Sequence, residues 1–171
     1  PPNKKILAIS FKSDAAKNLS DRVKERCPEE LSNRFISMTF DAFTKSLVDR
    51  FRMALPERHR PSKRYEIAFP SSHQEKQLIS RFTNSFDNVQ VGIYNFTQRL
   101  RNMNQFIGSV RIGDPNLSWL EEKFLAFWLS QQINYADGIS RVSFPGLNRL
   151  AEYIVRTNDH VLRSIRASYP I

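Results

Sequence analysis

Apolar residues open the chain in two short runs, each followed at once by a helical pattern. The first run, Ile6-Leu7-Ala8-Ile9, leads into Ser10-Phe11-Lys12-Ser13. The second, Phe35-Ile36-Ser37-Met38, leads into Thr39-Phe40-Asp41-Ala42-Phe43. Ile6 to Ile9 are continuous rather than alternating, as strands of parallel sheets tend to be, and strands are predicted over 5–10 and 34–39. Ser13 is placed to cap a helix reaching about Arg26, with Ala15, Ala16, Leu19 and Val23 on its apolar face. Pro28 stops it. Asp41 is placed to cap the next helix, where Phe43, Leu47, Val48, Phe51 and Leu55 repeat at helical spacing up to Pro56. Two consecutive strand–loop–helix units predict a parallel sheet, in which ligands sit at the carboxyl ends of the strands. Each loop carries a hydroxyl, an aromatic ring and the first N–H groups of a helix. That set suits an anionic, base-bearing ligand such as single-stranded nucleic acid.

The rest of the chain reads as mostly helical. Residues 58–64, Arg-His-Arg-Pro-Ser-Lys-Arg, read as a solvated basic linker in preference to a phosphate-binding run. Tyr65 to Phe69 is extended or a short strand. Ser72-His73-Gln74-Glu75 has the spacing of a capping box that opens a helix to about Asn84. From Val89 to Ile112 the alternation of Val89, Val91 and Ile93 competes with the helical spacing of Tyr94, Phe96, Leu100, Met103 and Phe106, and the helix is preferred. Gly113-Asp114-Pro115 breaks the pattern. Ser118-Trp119-Leu120-Glu121 is a second capping box, opening a long apolar helix in which Trp119 and Trp128 are expected in the core. Asp137-Gly138 turns the chain. Ser143 precedes a helix over about 144–155, with Leu147, Leu150, Ile154 and Val155 inward. Asp159 is placed to cap a last helix to about Ala167, and Tyr169-Pro170-Ile171 reads as the entry to a further strand.

Composition narrows the partners. The 171 residues carry 26 Lys/Arg against 17 Asp/Glu, a net charge of +9. The excess is uneven: residues 1–64 hold 15 Lys/Arg and 8 Asp/Glu, net +7, and residues 65–171 hold 11 and 9, net +2. A polyanionic partner at the two opening units follows. Cys27 is the single cysteine, which excludes an intrachain disulfide and points to a reducing, cytoplasmic compartment. His59, His73 and His160 have no metal-ligand spacing with it, so no metal site is expected. No apolar run approaches the roughly 20 residues of a membrane span, no secretory signal is visible, and no membrane partner is expected. Pro1 in place of an initiating Met implies an excised piece.

The opening residues resemble motifs Ia and Ib of UvrD/Rep-type superfamily 1 DNA helicases. That family shows an apolar strand, Thr-Phe-Thr-Asn-Lys-Ala-Ala and a helix, where this chain has Ser10-Phe11-Lys12-Ser13-Asp14-Ala15-Ala16. Its second motif is Thr-Phe-His-Ser-Phe, where this chain has Thr39-Phe40-Asp41-Ala42-Phe43. The closing segment from Val142-Ser143-Phe144 through Leu147, Leu150 and Ala151 to Arg163, Arg166, Tyr169 and Pro170 is similar to what precedes the family's Asp-Glu-x-Gln-Asp box. The likeness covers residues 5–51 and 140–171. It implies an α/β fold, predominantly helical: a partial RecA-like parallel sheet with a helical inserted lobe. Residues 1–57 would be part of the RecA-like 1A domain, 58–142 a 1B-like insertion, and 143–171 helices returning to 1A.

The resemblance implies a piece of an ATP-dependent DNA helicase or translocase, with Ser10, Phe11, Lys12, Ser13, Thr39, Phe40, Asp41 and Phe43 at the DNA. Its partners would be single-stranded DNA or a single/double-strand junction, and the remaining helicase domains of the parent chain. ATP and Mg are implied for the parent and no cofactor for this piece. None of Gly92, Gly108, Gly113, Gly138 and Gly146 precedes a Lys-Ser/Thr pair, and the chain has no acidic box, so no catalytic residue for phosphoryl transfer is expected here. Two positions depart from the family: Asp14 replaces its motif Ia Lys, and Asp41 its motif Ib His. The alternatives are a non-catalytic nucleic-acid-binding module of a helicase-like protein, and a helical interaction domain whose charge is incidental.

Overall fold

The computed structural model describes residues 4–86 and 91–169. Val89, Pro170 and Ile171 lie outside them. The fold is mixed α/β and predominantly helical, with two small parallel two-stranded sheets among the described residues. The chain divides into two compact units, Pro1–Ala54 with Ile154–Ile171, and Leu55–Tyr153.

In the first unit, β1 (Ile6–Ser10), α1 (Ser13–Arg26), the short α2 (Glu29–Ser32), β2 (Phe35–Thr39) and α3 (Phe40–Phe51) follow in order. β1 and β2 pair in parallel from Ile6↔Phe35 to Ser10↔Thr39, and α1 packs on both. The backbone N–H of Lys5 reaches the Ser168 carbonyl of the last helix, α9 (Asp159–Ser168), at 3.0 Å. The expected burial of β1 is corrected: Ile6 is 59% and Ile9 47% exposed. A parallel strand is buried only where packed elements cover both faces of its sheet, and Ile6 and Ile9 lack that cover. On α1 only Ala16 is buried, while Leu19 is exposed.

The helix starts correct four expectations. Lys12, not Ser13, is the N-cap of α1, and its side chain makes no capping bond. Thr39, not Asp41, caps α3, its Oγ1 accepting from the Ala42 N–H at 3.1 Å. α4 (Ser72–Asn84) is closed by a capping box of Ser71 and Gln74, one residue earlier than the sequence reading. Asn158, not Asp159, caps α9.

The second unit contains β3 (Glu66–Ala68), α4, α5 (Val91–Arg99), α6 (Met103–Ser109), α7 (Trp119–Ile133), β4 (Arg141–Ser143) and the start of α8 (Phe144–Thr157). The helical reading preferred for Val89 to Ile112 matches α5 and α6, joined by a 3-10 turn, from Val91 to Ser109, but residues 110–112 are not helical. β4 pairs with β3 in parallel, Glu66↔Arg141 to Ala68↔Ser143. Its core is aromatic: Phe82 meets Phe124 edge-on at 5.1 Å, and Phe124 meets Phe106 at 5.6 Å. Such edge-to-face pairs add to the burial gain. The Ser118–Glu121 capping box forms as expected on α7, and hydrogen bonds from Ser118 hold the Glu121 carboxyl below its ordinary pKa. Trp128 is buried as expected, whereas Trp119, at the exposed first position of α7, is not.

The basic stretch 58–64 is not a solvated linker. His59 and Pro61 are buried, and the Arg60 guanidinium donates to the Leu55 carbonyl at 2.9 Å. Ser62 and Ser140 exchange N–H to Oγ hydrogen bonds at 2.9 Å in both directions. These bonds fasten the stretch beside the lead-in to β4.

Candidate nucleic-acid interface

The carboxyl ends of β1 and β2 bring the two loop motifs together. Ser10 and Thr39 are register partners, so the residues after them, Phe11 and Phe40, leave the sheet side by side. Their ring centroids are 6.4 Å apart, tilted by 38°. Phe11 is 93% exposed and Phe40 38%. Core packing therefore does not account for Phe11, while Phe40 is partly covered, and together the two rings form a small exposed apolar patch. Phe43 is different: it is half-buried within α3.

The polar groups divide in the same way. Ser10 Oγ accepts from the Lys12 N–H at 3.2 Å, closing the turn that turns Phe11 outward. Lys12 and Ser13 are exposed at the start of α1, whose first N–H groups have no partner within the helix. Thr39 is spent on capping α3. Asp41, half-buried in the first turn of α3, gives its backbone carbonyl to Thr44 Oγ1 at 3.1 Å. Asp14 occupies the first turn of α1. Both acids suit the positive end of a helix, and both subtract from the attraction for an anion.

Six of the eight candidate residues thus lie at one sheet end: Ser10, Phe11, Lys12 and Ser13 from one loop, Thr39 and Phe40 from the other. Asp41 and Phe43 follow along α3, turned more into the fold. Chemically, the cluster offers a two-ring stacking surface, one free-standing Lys side chain and helix-end N–H groups. Among the described residues no cluster of His, Cys, Asp and Glu could hold a metal ion, and no helix is long and apolar enough to cross a membrane.

The same pattern recurs in the second unit, where sequence reading placed no site. Ala68 and Ser143 are register partners, and the residues after them, Phe69 and Phe144, meet edge-on at 5.9 Å. The available signal was the repeat of a strand end, a Phe and a helix start in Ala68-Phe69-Pro70-Ser71. No protein-family model matches the chain, and no curated protein matches it.

Proposed function

We propose that this chain supplies single-stranded DNA contacts within an ATP-dependent helicase or translocase of UvrD/Rep type. The first unit would be part of its RecA-like domain and the second its inserted helical lobe. One observation carries the reading: the exposed Phe11 ring beside Phe40, directly beyond the paired strand ends at Ser10 and Thr39. A base stacks on the ring surface, a contact worth roughly 1–3 kcal/mol. Lys12 neutralises an adjacent phosphate, and the N-terminal N–H groups of α1 face another. ATP and Mg would be held by parts of the parent outside these 171 residues. A non-catalytic binding module is the second reading, favoured by Asp14 and Asp41 standing where the helicases carry Lys and His.

A salt titration tests the binding claim that both readings share. Fluorescence anisotropy with a labelled single-stranded oligonucleotide should show affinity falling steeply as salt rises, because the phosphates release counterions to a chain of net charge +9. Affinity that does not change with salt contradicts the proposal and favours the interaction-domain alternative.

A further inference from the structure

A cleft of about 340 Å³ opens within the second unit, in the size range of small-ligand sites. It lies at the carboxyl ends of β3 and β4, where Ala68 and Ser143 both line it. Gln74 and Gln77 of α4 form one wall, Trp128, Gln131 and Gln132 of α7 another. Phe69, which also lines the cleft, is 78% exposed. The Arg141 guanidinium, a further lining group, sits 4.6 Å from the Tyr135 ring centroid.

The polar content of the cleft is amide rather than ionic. Arg141 is paired with Asp137 at 2.6 Å and Glu66 at 3.2 Å. That leaves Arg81 and Glu75, of opposite sign, beside four glutamines, of which Gln74 is held by the α4 capping box and Gln77 meets the His73 ring at 3.0 Å. A phosphate site gathers uncompensated cations, whereas a flat heterocycle is read by amides along its edge and by π-faces above and below. Gln132 is buried, and its Oε1 accepts from the Ser143 N–H at 2.8 Å and hydroxyl at 2.9 Å. Its Nε2 reaches the Trp128 carbonyl only at 3.5 Å, beyond ordinary hydrogen-bond length, so this lining amide retains donor capacity.

We infer that this cleft binds a nucleobase ring, stacked against Phe69 and read along its edge by Gln131 and Gln132. The ring comes either from a free nucleotide or from an unstacked base of a strand. Only the second source rests on the proposed single-strand function.

Trp128 is the reporter. The chain has two tryptophans, and Trp119→Phe leaves Trp128 alone. Its fluorescence is titrated with adenosine monophosphate, with an oligo-dA strand and with an abasic strand of equal length, and strand binding is followed separately by anisotropy. Saturable quenching by the mononucleotide, weakened at least about fivefold by Phe69→Ala, supports the site with a free nucleotide as its source. Quenching by oligo-dA but by neither the mononucleotide nor the abasic strand, weakened in the same way, supports it with a strand as its source. Equal quenching by abasic and base-bearing strands overturns the inference, as does unchanged binding in both Phe69→Ala and Gln131→Ala. Strand binding in anisotropy with a silent Trp128 overturns the cleft and leaves the Phe11 site standing. Mononucleotide quenching without any strand binding does the reverse.

Discussion

Gly146→Ala is a substitution for which helix propensity and packing predict opposite signs. Gly146 lies in the first turn of α8, and alanine is about 1 kcal/mol better than glycine within a helix. A Cβ at this position, however, would stand 2.6 Å from Gln132 Oε1 and 3.0 Å from Val142 Cγ1. The oxygen cannot yield freely. It holds the Ser143 N–H and hydroxyl, and Ser143 Oγ in turn accepts from the Gly146 N–H at 3.3 Å. Displacing Gln132 orphans two buried donors, each costing about 1–3 kcal/mol. Less the propensity gain, the net loss is about 1–5 kcal/mol, or roughly 2–20 °C in Tm for a chain of this size. Thermal unfolding followed by circular dichroism reads it. The clash also predicts coupling: in a Gln132→Ala background, itself destabilised, Gly146→Ala should cost much less. A Tm raised by Gly146→Ala, or two effects that simply add, would refute the reasoning.

Thr39→Ala should cost about 1 kcal/mol through the lost cap of α3, Thr39→Ser should restore most of it, and Asp41→Ala should cost little, all read from urea midpoints. Burial, followed by the neighbouring Arg58 charge, lowers the His59 pKa below 6.5. Above pH 6.5 the ring is neutral in folded and unfolded chains alike. Below it the unfolded chain binds the proton first, so stability should fall with pH until the folded value is passed, and His59→Gln should flatten that slope in urea midpoints taken at pH 7.5 and 5.5. The purified chain should release no phosphate from ATP, which a coupled phosphate assay checks; turnover that survives repurification would contradict this.

The two opening units were legible because each combines a short, mainly apolar run, a hydroxyl and a helical repeat within about 20 residues. Predicted and observed helix ends agree at Arg26 and Asn84. Caps were less legible because competent residues stand side by side: Ser71 with Ser72, and Asn158 with Asp159. Sequence spacing ranks these neighbours equally, and only the backbone decides between them. β4 was missed because three residues, Arg141-Val142-Ser143, are too few for a period, and its partner β3 lies far away along the chain. Trp119 was misplaced although a signal was present: Glu122 and Lys123, three and four residues on, share its exposed face of α7. At the candidate site the sequence named the residues but not their contact. Which strand-end residues stand side by side follows from the register Ser10↔Thr39, which neither segment contains on its own. The resemblance alone implied an open position for Phe11, and the ring is 93% exposed.

The most direct test of the account is Phe11→Ala, measured for melting temperature and for single-stranded DNA affinity by anisotropy at one low salt concentration. A ring this exposed contributes little to stability, so the melting temperature should stay within about 2 °C of the parent. Affinity should fall roughly 5- to 150-fold, the equivalent of about 1–3 kcal/mol of stacking, and Phe11→Trp should retain it. Unchanged affinity, or a fall matched by a large loss of melting temperature, would contradict the account and remove Phe11 from any nucleic-acid site.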